Sequence, residues 1–172
     1  LERLHDELDI PVLYVSHSPD EVVRLADHVV MLGDGRVMAA GELHATMARL
    51  DLPTAFTEDA GVVIDGTVAA HDEHYHLTRL DFPGGAVWVQ RQAVELGRRL
   101  RFRIHARDVS LADHQVEGTS IQNLLPATVT EVVGADTPAH VLVKMDAGGT
   151  PLLARITRRA AVVAHQQQSR RT

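Results

Sequence analysis

The stretch "VLYVSHSPDEVVRLADHVVMLGDGRVMAAG", residues 12–41, decides the fold class of the amino-terminal part of this chain. It opens on a continuous apolar run, which predicts a strand over residues 12–16 that is buried on both faces of an α/β layer structure. His17 follows at the carboxyl end of that strand, where open α/β sheets bind ligands. A single histidine in such a place is more often a partly buried structural side chain, so its function depends on the residues around it.

A helix is predicted directly after His17. Ser18 has the place of an N-cap, Pro19 that of the first helical residue, and Glu21 that of the acid closing a capping box. This spacing predicts a helix over residues 19–26. The residues beyond it predict a strand over 29–32, a glycine turn at 33–35, a strand over 36–40 and a helix over 42–50.

Composition limits the function classes. With 172 residues, 45% of them hydrophobic, the chain has room for a buried core and one or two domains. A net charge of -6 and 3% aromatic residues disfavour nucleic-acid binding, including binding by an OB-like barrel. No apolar run is long enough for a membrane helix, and the absence of cysteine excludes disulfides and thiolate metal sites. Because Leu1 stands inside an amphipathic pattern, we expect the chain to be a fragment that begins in mid-helix.

The residue pattern of the sequence changes after about residue 51. Short, valine-rich segments separated by turn residues predict a small all-β barrel or sandwich, so we expect one domain over 1–55 and another over 56–172. Two segments of the β half share the order strand, turn, strand, Gly-Gly, strand. This weak internal repeat predicts two β units, 61–112 and 113–165.

The stretch quoted first resembles the end of an ABC-transporter ATPase domain, around its switch-histidine loop. His17 matches the loop histidine, which the resemblance implies to be catalytic and to reach the γ-phosphate of ATP. Asp27 matches the acidic position of the family's "ADR" element, in which His28 replaces the usual Arg.

A second stretch, "IHARDVSLADHQVEGTSIQNLLPATVTEV" at residues 104–132, resembles the carboxyl-terminal oxyanion-binding module of molybdate-transporter ATPases, and "LLARIT" at 152–157 fits the same module. The family usually has Arg where this chain has Gln122, and a lysine-containing strand follows "ARIT". The two resemblances together imply an α/β remnant of an ABC ATPase domain followed by an all-β OB-like (MOP/TOBE) barrel.

The resemblance also implies a function and partners. The chain is expected to be the carboxyl-terminal part of the energy-coupling subunit of an importer for molybdate, tungstate or sulfate, using ATP and Mg²⁺ in the full-length subunit. Homodimers, transmembrane permease subunits and a peripheral place on the cytoplasmic face of the bacterial inner membrane are implied with it. Because no G-x-x-x-x-G-K-[ST] motif occurs, the chain alone is not expected to hydrolyse ATP. The alternative is a free-standing oxyanion-binding or regulatory module.

Hydroxyls, helix N–H groups and arginine are the groups that hold a tetrahedral oxyanion. Thr119 and Ser120 are predicted to cap a short helical turn, with Asn123 beside them, and Arg107 and Arg155 are predicted to flank them on strands. Ordinary helix capping with salt-bridged arginines explains the same residues nearly as well.

The segment "HDEHYH", residues 71–76, invites comparison with a metal site. His74 and His76 would share one face of a strand, but a site also needs a third, rigidly held ligand. We therefore expect a solvated hairpin and no metal.

Overall fold

The structure is a computed structural model that describes residues 11–52, 60–114 and 117–162. Within these ranges the chain is mostly β-sheet, in three antiparallel sheets. The helices are α1 (Pro19–Leu25), α2 (Leu43–Met47) and a helical stretch at 158–162. The strands are β1 (His28–Gly33), β2 (Arg36–Glu42), β3 (Gly61–Asp72), β4 (Leu77–Phe82), β5 (Gly85–Gln90), β6 (Arg99–His105), β7 (Thr128–Gly134), β8 (His140–Ala147) and β9 (Thr150–Thr157).

The amino-terminal region is an α1–hairpin–α2 unit. β1 and β2 form a two-stranded sheet closed by Asp34 and Gly35, whose φ angles of 49° and 73° are those of a two-residue hairpin turn. The strands predicted over 29–32 and 36–40 are therefore confirmed. The last predicted helix is found but is shorter, because α2 ends at Met47.

The strand predicted over residues 12–16 is wrong. These residues have no regular structure, and the side chain of Leu13 is 94% exposed. A strand buried on both faces needs hydrogen-bonded neighbours at its edges, and none of the described residues pairs with this segment. The amphipathic start of the chain lies outside the described residues, as does the predicted boundary between 55 and 56.

The first sheet of the β half has the strand order β5-β4-β3-β6. β3 is long enough to pair with two different strands along its length. Its first half, from Gly61 to Thr67, pairs with β6, and its second half, from Thr67 to Asp72, pairs with β4. β3 therefore lies in the middle of the sheet, and half of its residues are buried.

The second sheet has the order β7-β8-β9 and repeats the β3-β4-β5 arrangement. Thr67 pairs with Asp81 and Thr128 with Asp146, and in both sheets the register shifts at the second residue after the threonine. The shared strand order and bulge agree with the weak repeat seen in the sequence. The division into units 61–112 and 113–165 stays a prediction.

The glycine turns of the two sheets pack against each other. A Cβ atom on Gly84 would lie 2.6 Å from the carbonyl oxygen of Ala147, and one on Gly148 would lie 2.9 Å from that of Pro83. Real Cβ atoms do not approach backbone oxygens so closely. Glycine is therefore needed at both turns because the two backbones touch there.

The main hydrophobic core lies between the two sheets. Its fully buried aliphatic side chains include Leu142, Leu153 and Val62, and the Phe82 and Phe102 rings meet edge to face with centroids 6.0 Å apart. Each such aliphatic side chain contributes about 1.5–3 kcal/mol by leaving water. The sheets thus form one packed β structure that supports the loops described next.

Candidate functional site

His17 lies on an exposed segment just before α1. The hydroxyl of Tyr14 and the Oγ of Ser16 both donate to Oε2 of Glu21, at 3.0 and 2.5 Å. The backbone N–H of Ser18 donates to the Ser16 Oγ at 3.0 Å. The bonds from Ser16 and then Tyr14 hold the pKa of Glu21 below its ordinary value.

The predicted capping box is therefore wrong, although the helix it predicted is confirmed. The side chain of Ser18 makes no cap hydrogen bond, and Pro19 occupies the first helical position. The carboxylate of Glu21 instead accepts hydrogen bonds from the preceding segment, from the hydroxyls of Tyr14 and Ser16.

The carboxyl end of α1 is held by one guanidinium of β6. Arg101 donates from NH1 to the carbonyl oxygen of Ala26 at 2.7 Å, which satisfies a free carbonyl at the helix end. Its NH2 donates to Asp27 and its Nε to Asp65, each at 3.2 Å. Asp27, singled out by the sequence, is thus an ion-pair partner of the β half.

The amino end of α1 is held in the same way. Arg103, with its side chain 9% exposed, donates from NH1 to Asp20 at 3.0 Å. Beneath the two arginines, Val23 of α1 packs with Leu43 of α2 and Val63 of β3. The helix that follows His17 is therefore fixed to the β half by an apolar contact and by ion pairs at both ends.

A cleft of about 330 Å³ brings Arg107 and Arg155 together. Arg107 lies in the 3₁₀ turn Ala106–Asp108 after β6, and Arg155 lies on β9. The hydroxyl residues Ser110 and Thr157 also line the cleft, whose remaining walls are Val109, Leu111, Ile156 and Ala160.

Arg155 is only partly engaged by its ion pair. Its NH2 donates to Asp136 at 2.8 Å, and this bond holds the pKa of the carboxyl below its ordinary value. Its Nε is buried and has no hydrogen-bond partner among the described residues. A buried donor of this kind is stabilised when an acceptor reaches it.

The segment carrying Thr119, Ser120 and Asn123 lies elsewhere. Asn123 accepts from the backbone N–H of Trp88 at 2.8 Å and donates to its carbonyl oxygen at 3.0 Å, so its amide acts as a one-residue strand partner of β5. β5 and β6 are opposite edges of the first sheet. Within one chain, the segment is therefore separated from Arg107.

The short helical turn predicted for this segment is wrong. Residues 117–127 form no helix, and the Thr119 hydroxyl accepts from the N–H of Ile121, at 3.1 Å. Ser120 is exposed. The backbone follows the edge of β5 because the Asn123 amide pairs there, so no set of free helix N–H groups forms.

Several residues that hold α1 or line the cleft were not predicted from the sequence. Arg101 and Arg103 are two apart on a strand and share a face, which was a readable signal for a docking surface. Ser110 and Thr157 gave no comparable signal, because they become neighbours only when β6 and β9 pack together. The pairing of Asp136 with Arg155 is likewise a product of the tertiary fold.

Residues 71–76 form the predicted hairpin. The end of β3 turns directly into β4, and His71 lies between the Thr78 hydroxyl, at 3.0 Å, and the carbonyl oxygen of Val94, at 2.9 Å. Among the described residues no group of three or more His, Asp or Glu side chains could hold a metal ion. None of the described helices has the length and apolarity needed to cross a membrane.

Comparison with known proteins identifies the matching family. Residues 119–163 match the TOBE domain family. The chain is 71% identical over 160 residues to molybdenum import ATP-binding protein ModC 1 of Azotobacter vinelandii, covering 93% of this chain and 44% of that protein. It is 57% identical to the molybdenum import ATP-binding protein ModC of Methylococcus capsulatus, over 94% of this chain and 45% of the relative. The Pseudomonas aeruginosa protein of the same name is 59% identical, over 92% and 44%.

These matches confirm the resemblance drawn from the sequence. The region that the chain matches is the carboxyl-terminal part of proteins named for molybdenum import and ATP binding, and residues 119–163 match the TOBE domain family. It spans less than half the length of the curated relatives that it matches.

Proposed function

We propose that the chain is the carboxyl-terminal part of the ATP-hydrolysing subunit of an ABC importer for molybdate or a related oxyanion. The observation that carries this proposal is the 71% identity, over 93% of the chain, to a protein named for molybdenum import and ATP binding. The similarity extends across both the His17 region and the β half. Residues 1–55 are therefore proposed to be the end of an ATPase domain and residues 56–172 an OB-like regulatory domain.

His17 is the one residue of the chain proposed to act in ATP hydrolysis. Phosphoryl transfer needs a phosphate-binding loop, a metal-binding acid and a group that acts at the γ-phosphate. Mg²⁺-ATP, when bound, would supply the phosphoryl group, and the metal would neutralise the developing charge. The exposed imidazole of His17, at the start of α1, supplies the group at the γ-phosphate. The other two parts are proposed to come from outside the chain, because its sequence contains no phosphate-loop motif.

The cleft at Arg107 and Arg155 is proposed to bind the oxyanion. Guanidinium groups form charge-assisted hydrogen bonds with tetrahedral anions, and the buried Nε of Arg155 is a donor without a partner among the described residues. Ser110 and Thr157 offer two hydroxyls at the same cleft.

Thr119, Ser120 and Asn123 take part in this proposal only through a second copy. In one chain they lie along β5, away from the cleft. A homodimer would allow the exposed hydroxyl of Ser120 in one chain to face the cleft of the other. Exposed apolar side chains of the segment along β5 and of β7 support pairing: Ile121, Leu124, Val129 and Val132.

The whole subunit is proposed to bind transmembrane permease subunits at the cytoplasmic face of the inner membrane. A second candidate is a free-standing oxyanion-binding module without ATPase activity. It is favoured by one observation, namely that the cleft is built entirely from residues of the β half.

Substitution of His17 in the assembled transporter tests the first candidate. His17→Ala should reduce ATP turnover to background and leave nucleotide binding nearly unchanged, because the imidazole is proposed to act on the γ-phosphate during hydrolysis. Turnover at the normal rate would reject a catalytic His17. Molybdate titration of the 172-residue chain and of its Arg155→Met variant tests the cleft separately.

A further inference from the structure

The carboxylate of Glu21 connects to the residues on both sides of His17. Ser16 donates to it directly at 2.5 Å, and Ser18 reaches it through the Ser16 Oγ, which accepts the Ser18 N–H at 3.0 Å. Tyr14 adds a third link at 3.0 Å. One carboxylate oxygen therefore fixes the backbone immediately before and after the imidazole.

Packing does not hold this segment. The apolar side chains next to it, Leu13 and Val15, are 94% and 88% exposed. The side chains of residues 11–17 that donate hydrogen bonds in the described structure, those of Tyr14 and Ser16, both donate to Glu21. The place of the segment relative to α1 therefore depends on this one side chain.

Glu21 itself is well held. It lies in the first turn of α1, where the free backbone N–H groups favour an anionic side chain. The helix is in turn anchored to β6 through Arg101 and Arg103. Hydrogen bonds from Ser16 and Tyr14 lower the pKa of the carboxyl, so it stays ionised at neutral pH.

We propose that Glu21 is the positioning residue for His17, holding the imidazole-bearing segment at the start of α1 through its hydrogen bonds to Ser16 and Tyr14. The part of this proposal that concerns turnover rests on the proposed role of His17 at the γ-phosphate. The part that concerns position does not, and the two can be tested separately.

The position is tested on the 172-residue chain by amide hydrogen exchange and by the NMR signals of the His17 ring. Glu21→Ala should speed exchange at Ser18 about tenfold and change the His17 ring signals, because charge-assisted bonds are lost. Glu21→Gln should stay within about twofold of the parent chain, since one amide oxygen can accept both hydroxyls. Glu95→Ala, an exposed acid of another loop, is the matched control. Unchanged exchange and ring signals in Glu21→Ala would overturn the proposal.

Turnover is tested in the assembled transporter. Glu21→Ala should lower kcat about tenfold or more with little change in KM for ATP, and Ser16→Ala should act in the same direction. The double variant should lose little beyond the larger single effect, because both changes remove the same link. Glu21→Gln should restore most of kcat. A loss in Glu21→Gln equal to that in Glu21→Ala would show that charge matters instead of position, and would overturn the proposal.

The two proposals fail in different ways. If His17→Ala keeps normal turnover, the proposed role of His17 fails, while the exchange measurements still decide whether Glu21 holds the segment. If His17→Ala is inactive but Glu21→Ala keeps both normal kcat and normal exchange, only the positioning role fails.

Discussion

β3 and β7 are equivalent strands of the two sheets of the β half, but their side chains differ in burial. Val68 of β3 and Val129 of β7 both precede a bulge, yet Val68 is 1% exposed and Val129 is 47% exposed. β3 pairs with β6 as well as β4, whereas among the described residues β7 pairs only with β8. The comparison teaches that the same strand pattern gives a core or a surface according to whether a fourth strand lies beside it.

That fourth strand also carries function. β6 holds α1 through Arg101 and Arg103 and leads directly into the turn with Arg107. The described part of the second sheet has no strand in the equivalent place and shows an apolar surface instead. The first sheet is therefore the region that attaches the His17 segment, and the second is the surface proposed for pairing.

Substitution at the contact between the glycine turns of the two sheets is expected to cause the largest loss of stability. Gly84→Ala should reduce the free energy of unfolding by about 3 kcal/mol, because its Cβ would press on the backbone oxygen of Ala147. Gly149→Ala is the matched control, since its Cβ meets no atom within 4 Å and only its φ of 88° is unfavourable. It should cost about 1 kcal/mol. Urea unfolding measures both, and equal losses would show that the sheets can separate at the turns.

Truncation of the two equivalent valines tests the difference in burial directly. Val68→Ala should destabilise the chain by about 2 kcal/mol through lost burial and a small cavity. Val129→Ala should change the stability of the monomer by less than about 0.5 kcal/mol. Thermal unfolding at low protein concentration provides the measurement. A large loss in Val129→Ala under those conditions would place its side chain in a core.

Low pH should reduce the free energy of unfolding by weakening the cap of α2, which packs on the first sheet. Glu42 caps this helix, and the N–H of Ala45, followed by the His44 side chain, lowers its pKa to about 2 from the ordinary 4.5. Because the pKa is lowered in the folded state, the stabilisation is complete above pH 4.5 and is lost as the pH falls toward 2. Glu42→Ala should thus cost about 1 kcal/mol at pH 7 and little near pH 2. Urea unfolding at both values decides this, and a cost independent of pH would contradict it.

The smallest expected effect concerns the cleft at Arg107 and Arg155. Asp136 pairs with Arg155 and so competes with any anion for the same guanidinium. Asp136→Asn should tighten molybdate binding about threefold, in keeping with the modest strength of exposed ion pairs. Calorimetric titration measures it, with Asp113→Asn as a control outside the cleft. Weaker binding in Asp136→Asn would show that the ion pair shapes the site.

The sequence predicted the parts of this structure that depend on local patterns. The glycine turn at 33–35, the helix after Pro19 and the hairpin after His71 follow from backbone preferences of a few adjacent residues. The weak repeat was readable because both units place the same residue types around a bulge and a glycine turn.

The failures concern partners that no local pattern reveals. The apolar run at 12–16 reads as a buried strand, but burial needs neighbours that the described residues do not supply. Ser18 has the spacing of a capping box, yet Glu21 is bound by Tyr14 and Ser16. Asn123, expected near an anion, pairs instead with Trp88, 35 residues away. Arg107 and Arg155, predicted together with Asn123, line one cleft, and their role in binding an oxyanion stays a prediction.

The pairing of Asn123 with Trp88 limits how copies of this chain can assemble. An uncovered sheet edge can accept another chain, then another, and so build an open-ended filament. The Asn123 amide occupies both backbone groups of Trp88 on the outer edge of β5, so a foreign strand cannot continue the ladder there. One amide side chain therefore disfavours growth of a continuous β ladder from the edge of β5.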